Sequence, residues 1–206
     1  MPLEIVTFGD PILRVRAAPV SRVTPDLKKL ADGMMEAMYA HNGVGLAAQQ
    51  VGEKLAMCVI DIPPDCDVEG EGGPRLNPEV PMPLVLFNPR IVRRSAPEEK
   101  HDEGCLSFPG IHTGVQRSAE LDVAFTDLKG NPQTLLCRGL LARAVQHEID
   151  HLNGVLLVDR MSAVRKISLA GQLKRLRRET EERLAREARS TACRDGETNR
   201  RRDRRP

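Results

Sequence analysis

Two histidines four residues apart, with a glutamate beside the first, stand in QHEIDHLNG (146–154): His147, Glu148 and His151 form the pattern H-E-x-x-H. On a helix, residues four apart lie almost one above the other, so both imidazoles face one point and can share a metal ion. Glu148 lies about 100° round from His147 at 3.6 residues per turn. There it sits beside the ion without ligating it, placed to take a proton from bound water. Chance spacing is the plainer explanation, but Leu140 and Ala144 fall on the same face. Ionisable groups buried among them without a partner would be costly, and a metal supplies one. Asp150 points elsewhere and reads as a surface acid or a support to the site.

Two ligands are too few. One class of zinc peptidase extends the motif to H-E-x-x-H-x-x-G-x-x-H; this chain follows it through Gly154 and then has Leu157 in place of the third histidine. Other classes take a downstream glutamate. Glu179, Glu181 and Glu182 are available, but they sit in a charge-laced helical pattern that reads as solvated. The third ligand is therefore expected upstream, among Cys58, Cys66, Cys105, Cys137, His41, His101 and His112. Cys58 belongs to an apolar strand, Cys66 to a loop, and Cys137 to a strand end. Cys105, in DEGCLSFPG, is favoured because Gly104 and the Pro109-Gly110 turn leave the backbone open around its thiol. Spacing alone does not decide among these candidates.

The elements around these residues are partly readable. Thr24 can cap a helix over 25–41, with Pro25 at its first position and Leu27, Leu30, Ala31, Met34 and Met38 on one face. Strands are expected at LEIV (3–6), LAMCVIDI (55–62) and LVLFNP (84–89). A hairpin is expected over 120–137, where ELDVAFTDL alternates and KGNP turns the chain. The stretch PPDCDVEGEGGPRLNPEVPMP reads as a long loop. A second helix spans about 139–152 and stops at Asn153-Gly154. Strands and helices are grouped rather than alternating, so the class is α+β with mostly antiparallel strands.

Length and composition add bounds. With 206 residues, 40% of them hydrophobic, the chain suffices for one domain with an appendage, expected as 1–165 and 166–206. Residues 171–206 hold 13 basic and 7 acidic side chains, so a basic tail follows a mildly acidic body. Its end, RDGETNRRRDRRP (194–206), is expected to be disordered. No apolar run nears the ~20 residues of a membrane span, and MPLEIVTFGD lacks a signal-peptide layout, so a cytoplasmic location without a membrane partner is expected. The five aromatic residues, none of them Trp, argue against a base-stacking platform; no DNA partner is expected. Five cysteines without compact spacing read as free thiols or metal ligands rather than disulfides.

Three segments in order, GVGLAAQQVG (43–52), EGCLSFPG (103–110) and QHEIDHLNG (146–154), closely resemble the signature motifs of peptide deformylases. GDPILRVRAAPV and FNPRIV look like the same family's framework, and the resemblance runs from about residue 4 to 160. It implies antiparallel sheets around the central H-E-x-x-H helix. It also implies an enzyme that hydrolyses the formyl group from N-formylmethionine of newly made polypeptides. Cys105, His147 and His151 are carried over as metal ligands. Fe(II) is the implied native ion, with zinc, nickel or cobalt able to replace it.

Two imidazoles and a thiolate leave a fourth position for water, whose pKa the metal lowers; the hydroxide attacks the formyl carbon while Glu148 acts as base and then acid. By the same resemblance, the Gln50 side-chain amide and the Leu106 backbone N–H stabilise the oxyanion. The backbone around Val44, Gly45 and Gly104 offers an edge for a peptide strand. Val44 and Ala144 are candidates to line a methionine pocket, and Arg117 occupies a position that looks like a family arginine near the substrate, with a surface charge on a strand as the alternative. The chain departs from the family in having His101 and Asp102 before the second motif and a bulky Phe108 within it. His101 is also a candidate competing metal ligand. A nascent formyl-Met polypeptide is the expected partner; the basic tail reads as a solubilising extension, with ribosome contact through phosphate neutralisation as the alternative. A zinc endopeptidase is the rival reading.

Overall fold

Thr24 opens the first helix: its hydroxyl oxygen accepts the Leu27 N–H at 3.3 Å, and Pro25 holds the first helical position, where a missing N–H costs nothing. The structure, a computed structural model, describes residues 3–202 apart from 71, 96 and 97, with side chains described to residue 190. Helix α1 (Pro25–Ala40) is followed by β1 (Gly45–Ala47), β2 (Met57–Ile60), β3 (Leu84–Arg94), β4 (Glu98–Gly104), β5 (His112–Ser118), β6 (Glu120–Thr126) and β7 (Pro132–Arg138). Then come α2 (Gly139–Leu152), the short α3 (Leu157–Arg160) and α4 (Ala163–Arg202). Five strands form an antiparallel sheet in the order β1-β2-β3-β6-β7, and β4 and β5 form a separate two-stranded ribbon. The fold is α+β with antiparallel strands, as expected.

Side chains alternate across a strand, and the large sheet is apolar on both faces. Ala47, Cys58, Ile60 and Leu86 pack with Leu141, Ala142, Val145 and Leu152 of α2. Leu46, Met57, Val59 and Phe87 pack with Ala31, Met34 and Met38 of α1. Each fully buried aliphatic side chain contributes roughly 1.5–3 kcal/mol, so α2 is held on the sheet by its Leu141–Val145 face. Its other face is left for chemistry. Gly154 stops α2 at φ +73°, and a Cβ there would run into the Arg14 carbonyl.

The structure departs from the sequence reading in three places. Residues 3–6 are not a strand; Val6 N–H donates to the Gln50 carbonyl at 2.7 Å and Phe8 N–H to that of Ser107 at 2.9 Å, single bonds rather than a ladder. The β4–β5 ribbon was not expected, because EEKHDEG is polar throughout and carries no alternation to announce a strand. The helix α4 continues to Arg202, which corrects the disorder expected over 194–202; residues 203–206 lie outside the described residues. Its Ala, Arg and Glu residues favour helix without a core, and pairs such as Arg177–Glu181 at 2.8 Å reinforce it.

The first turns of α4 are packed on the body. Leu169 and Leu173 join Leu13, Phe108, Val115 and Leu157 in a third apolar cluster, and Thr180 Oγ1 meets Thr7 Oγ1 at 2.7 Å. The division expected at residue 165 thus falls just inside a helix that is docked as far as Arg183, which pairs with Asp10 at 3.5 Å. Among the described residues, no helix is long and apolar enough to cross a membrane.

Candidate metal centre

The free face of α2 carries His147 and His151 one turn apart, their rings 5.1 Å from centre to centre. Cys105 approaches from the loop that follows β4, and its Sγ lies 3.3 Å from His151 Nε2. One ligating atom from each of Cys105, His147 and His151 lies within 4.8 Å of the others, the only such group of His, Cys, Asp or Glu among the described residues. A tetrahedral ion with bonds of about 2.0–2.3 Å separates its ligands by roughly 3.5 Å, so the donors suit one small cation. Buried Glu148 Oε2 and His151 Nδ1 lack hydrogen-bond partners among the described residues. The unmatched Glu148 oxygen, beside the donor group, fits a site that takes an ion and its water.

His147 is oriented from behind. Its Nδ1 donates to Glu103 Oε2 at 3.0 Å, which leaves Nε2 facing Cys105 and His151. Glu103 is only 5% exposed and is clamped by Arg117 through two bonds of 2.9 Å and by Arg143 at 2.8 Å. Burial pushes the Glu103 carboxyl up, but the bonds from His147 and Arg117 and the Arg117 charge outweigh burial and hold it well below its ordinary value. Arg117 also bonds Asp150 at 2.5 Å, and Asp150 accepts two bonds from Arg160, so the chain of charges ends at the surface. Burial, with the charges of His147 and Arg117, holds His151 well below the usual imidazole range, in the neutral form a ligand needs.

A carboxylate whose folded pKa is depressed stabilises the fold above its unfolded pKa and loses that contribution as pH falls. Glu103 should therefore contribute stability that declines as the pH drops below about 4.5, its ordinary value. Denaturant titrations from neutral to acid pH are expected to show this decline. In Glu103→Gln the slope should flatten, and stability near neutrality should fall by about 3–5 kcal/mol because Arg143 loses its ionic partner and Arg117 keeps only Asp150.

Glu148 rests against Gly45, where a Cβ would collide with the carboxylate. Burial pushes the Glu148 carboxyl up to about 7, opposed by the His147 charge. Gly45→Ala should displace Glu148 and lower turnover more than it lowers the melting temperature; paired kinetics and thermal melts check this. Gln50 is fixed by its own oxygen, which accepts the Ala47 N–H at 2.9 Å. Its NH₂ group is thereby aimed at Ser107 Oγ, 3.2 Å away, and at Cys105 Sγ, 3.6 Å away. These groups open onto a cavity of about 520 Å³, a volume suited to a small ligand. Val44, Leu106, Leu140 and Ala144 supply its apolar walls.

The family model for polypeptide deformylase matches residues 2–166. The chain belongs to the polypeptide deformylase family. A peptide deformylase of Synechococcus sp. (strain CC9605) is 43% identical over 161 residues, covering 78% of this chain and 74% of that protein. Among solved structures, a Synechococcus elongatus peptide deformylase in complex with actinonin is 40% identical. It has a TM-score of 0.72 and covers 83% of this chain and 88% of that one. A plant peptide deformylase is 37% identical with a TM-score of 0.77, covering 89% of this chain and 93% of that one. Peptide deformylases are metal-dependent hydrolases that act on the N-formylmethionine of nascent polypeptides, and this chain is a hydrolase of that family.

Most residues singled out in this deformylase's sequence converge on the cavity: Val44, Gly45, Gln50, Gly104, Leu106 and Glu148 line it together with Cys105 and His147. Arg117 does not. Its guanidinium is buried behind His147 and bound to Glu103 and Asp150, two acids it neutralises, rather than turned toward a substrate. His101 is exposed, with Nε2 3.3 Å from Glu99, and stands outside the donor group, so it does not compete for a metal. Asp102 lines the cavity; Phe108 is buried and stacks on Phe8 with ring centroids 4.8 Å apart. Leu157, in the place of a third histidine, is core, and Glu179, Glu181 and Glu182 are exposed in pairs with arginines of α4. The sequence reading assigned no role to Glu103 or Ser107, both within or beside EGCLSFPG. The only available signal was an acid two residues before a candidate thiolate.

Proposed function

We propose that this chain removes the formyl group from N-formylmethionine at the start of new polypeptides, using one divalent ion held by Cys105, His147 and His151. The observation that carries the reading is the approach of the Cys105 thiol to the two imidazoles beside the buried Glu148 carboxylate. When bound, the ion acidifies a water and polarises the formyl oxygen. Glu148 accepts the proton of the attacking water and returns it to the amine as the C–N bond breaks. Its carboxyl, pushed up to about 7 by burial, suits proton transfer near neutral pH. The Gln50 amide and the Leu106 backbone N–H donate to the oxyanion that forms on the former formyl oxygen.

Substrate binding is supported by β1, an edge strand of the sheet, whose first residue, Gly45, lines the cavity with Val44 and Gly104. The peptide adds along that edge, and its methionine side chain enters between Val44, Leu140 and Ala144. Iron is the native ion in this reading; cysteine and histidine ligation also accommodates zinc, nickel and cobalt. A ferrous site would lose activity in air as Cys105 oxidises. Anaerobic purification, metal analysis and a formate-release assay on formyl-Met peptides test the whole reading. Metallated protein should release formate; cleavage of internal peptide bonds without formate would overturn it.

The basic end of α4 contacts ribosomal RNA through phosphate neutralisation in the cytoplasm, where nascent chains emerge. Residues 184–206 hold eight basic and four acidic side chains and follow the docked part of the helix. Deleting 184–206 should weaken ribosome co-sedimentation at low salt and leave formate release from short peptides intact. Unchanged co-sedimentation would exclude the contact.

A further inference from the structure

We infer that Arg143 is a positioning residue that sets the Cys105 ribbon against the histidine helix, and with it the spacing of the metal donors. The inference rests on the metal-site reading above. Arg143 lies one turn before His147 on α2 and is 9% exposed. Its guanidinium makes three contacts, all to the ribbon. One nitrogen donates to Glu103 Oε1 at 2.8 Å and to the Val115 carbonyl of β5 at 3.0 Å; the other donates to the Glu99 carbonyl of β4 at 2.9 Å.

The ribbon needs such a tie. Among the described residues it has two strands and no ladder to the main sheet, and it delivers Cys105 immediately after β4 ends at Gly104. A two-stranded ribbon has little stability of its own. Among the described residues, three other polar ties join it to α2: Gln146 to the Ser118 backbone, Arg117 to Asp150, and His147 to Glu103. Of these four, Arg143 alone grips the main chain of both strands, and it does so while bonding the carboxylate that orients His147. The planar fork is matched to three acceptors in a way a lysine ammonium is not. Arg143 therefore links the thiolate half of the donor set to the imidazole half.

The test titrates Co(II) into the metal-free full-length protein. Affinity is read by chelator competition, and site geometry by the thiolate-to-cobalt charge-transfer and d–d bands. Thermal melts of the metal-free protein are recorded beside them. Arg143→Met, of similar reach and apolar, should weaken Co(II) binding by about 10–100-fold, the scale of outer-shell losses, and should shift the d–d bands. Arg143→Lys should fall between Met and wild type in both readouts. A lowered melting temperature with wild-type cobalt affinity and spectrum would mean a merely structural role and overturn the inference. If Arg143→Met fails to fold, Arg143→Lys carries the test alone, and wild-type affinity and bands in that variant overturn it equally. Absence of a thiolate band in the unsubstituted protein would instead overturn the metal-site reading beneath it.

Discussion

Glu148→Gln should lower kcat for formate release by about 10²–10⁴-fold, the usual scale of general acid–base catalysis, with metal content unchanged. Glutamine has the same shape, so the side chain still packs on Gly45 and the pocket keeps its form. What is lost is the ability to accept a proton from water and deliver it to the leaving amine. Folding should not suffer. Burial already pushes the carboxyl up to about 7, so the charged form is penalised in the folded protein and a neutral isostere removes that penalty. The melting temperature of the metal-free protein is expected to hold or rise. Steady-state kinetics, metal analysis and a thermal melt on the same preparation check the three statements. A glutamine variant with undiminished kcat would show that another group carries the proton.

Cys105→Ala should abolish both metal retention and formate release. Even outer-shell partners cost about 10–100-fold in metal affinity when removed, and loss of one of three ligands should exceed that. The alternative, a zinc endopeptidase with a ligand downstream, would keep its metal and its activity in this variant. The exposed pairs of Glu179, Glu181 and Glu182 with α4 arginines already weigh against it. Cys66→Ala is the matched control, since that cysteine is exposed and lies outside the donor group. It should retain metal and turnover. Metal analysis after dialysis of both variants, under anaerobic conditions, separates the two readings.

How much could be read in advance varied with how local the cause was. Helix α2 begins and ends as expected, because a 3.6-residue apolar pattern and the Asn153-Gly154 stop are written in consecutive residues. The β6–β7 hairpin likewise follows from alternation and a turn. The β4–β5 ribbon did not announce itself, since a mostly solvent-facing strand of charged residues has no apolar period and forms only because a partner strand lies beside it. The stretch 3–6 misled in the opposite direction: it is apolar enough for a strand, but among the described residues no neighbouring strand completes a ladder there. Arg117 was legible as a residue of interest and illegible in role. Whether an arginine faces a substrate or a buried acid depends on Glu103 and Asp150, 14 and 33 residues away along the chain.

The sequence by itself determined the chemistry of the donors and the part of the site that is helical. His147, Glu148 and His151 are set against one another by the geometry of a single helix, and any helix over 139–152 would carry them so. Tertiary structure alone decided what meets that helix. The Cys105 thiol, the Glu103 carboxylate behind His147, the Gln50 amide and the Gly45 surface under Glu148 all come from other elements. Their approach depends on how the ribbon and the sheet pack on α2. Contacts between residues far apart in the chain follow from the burial of whole faces and the pairing of buried charges, and neither leaves a mark in the order of neighbouring residues.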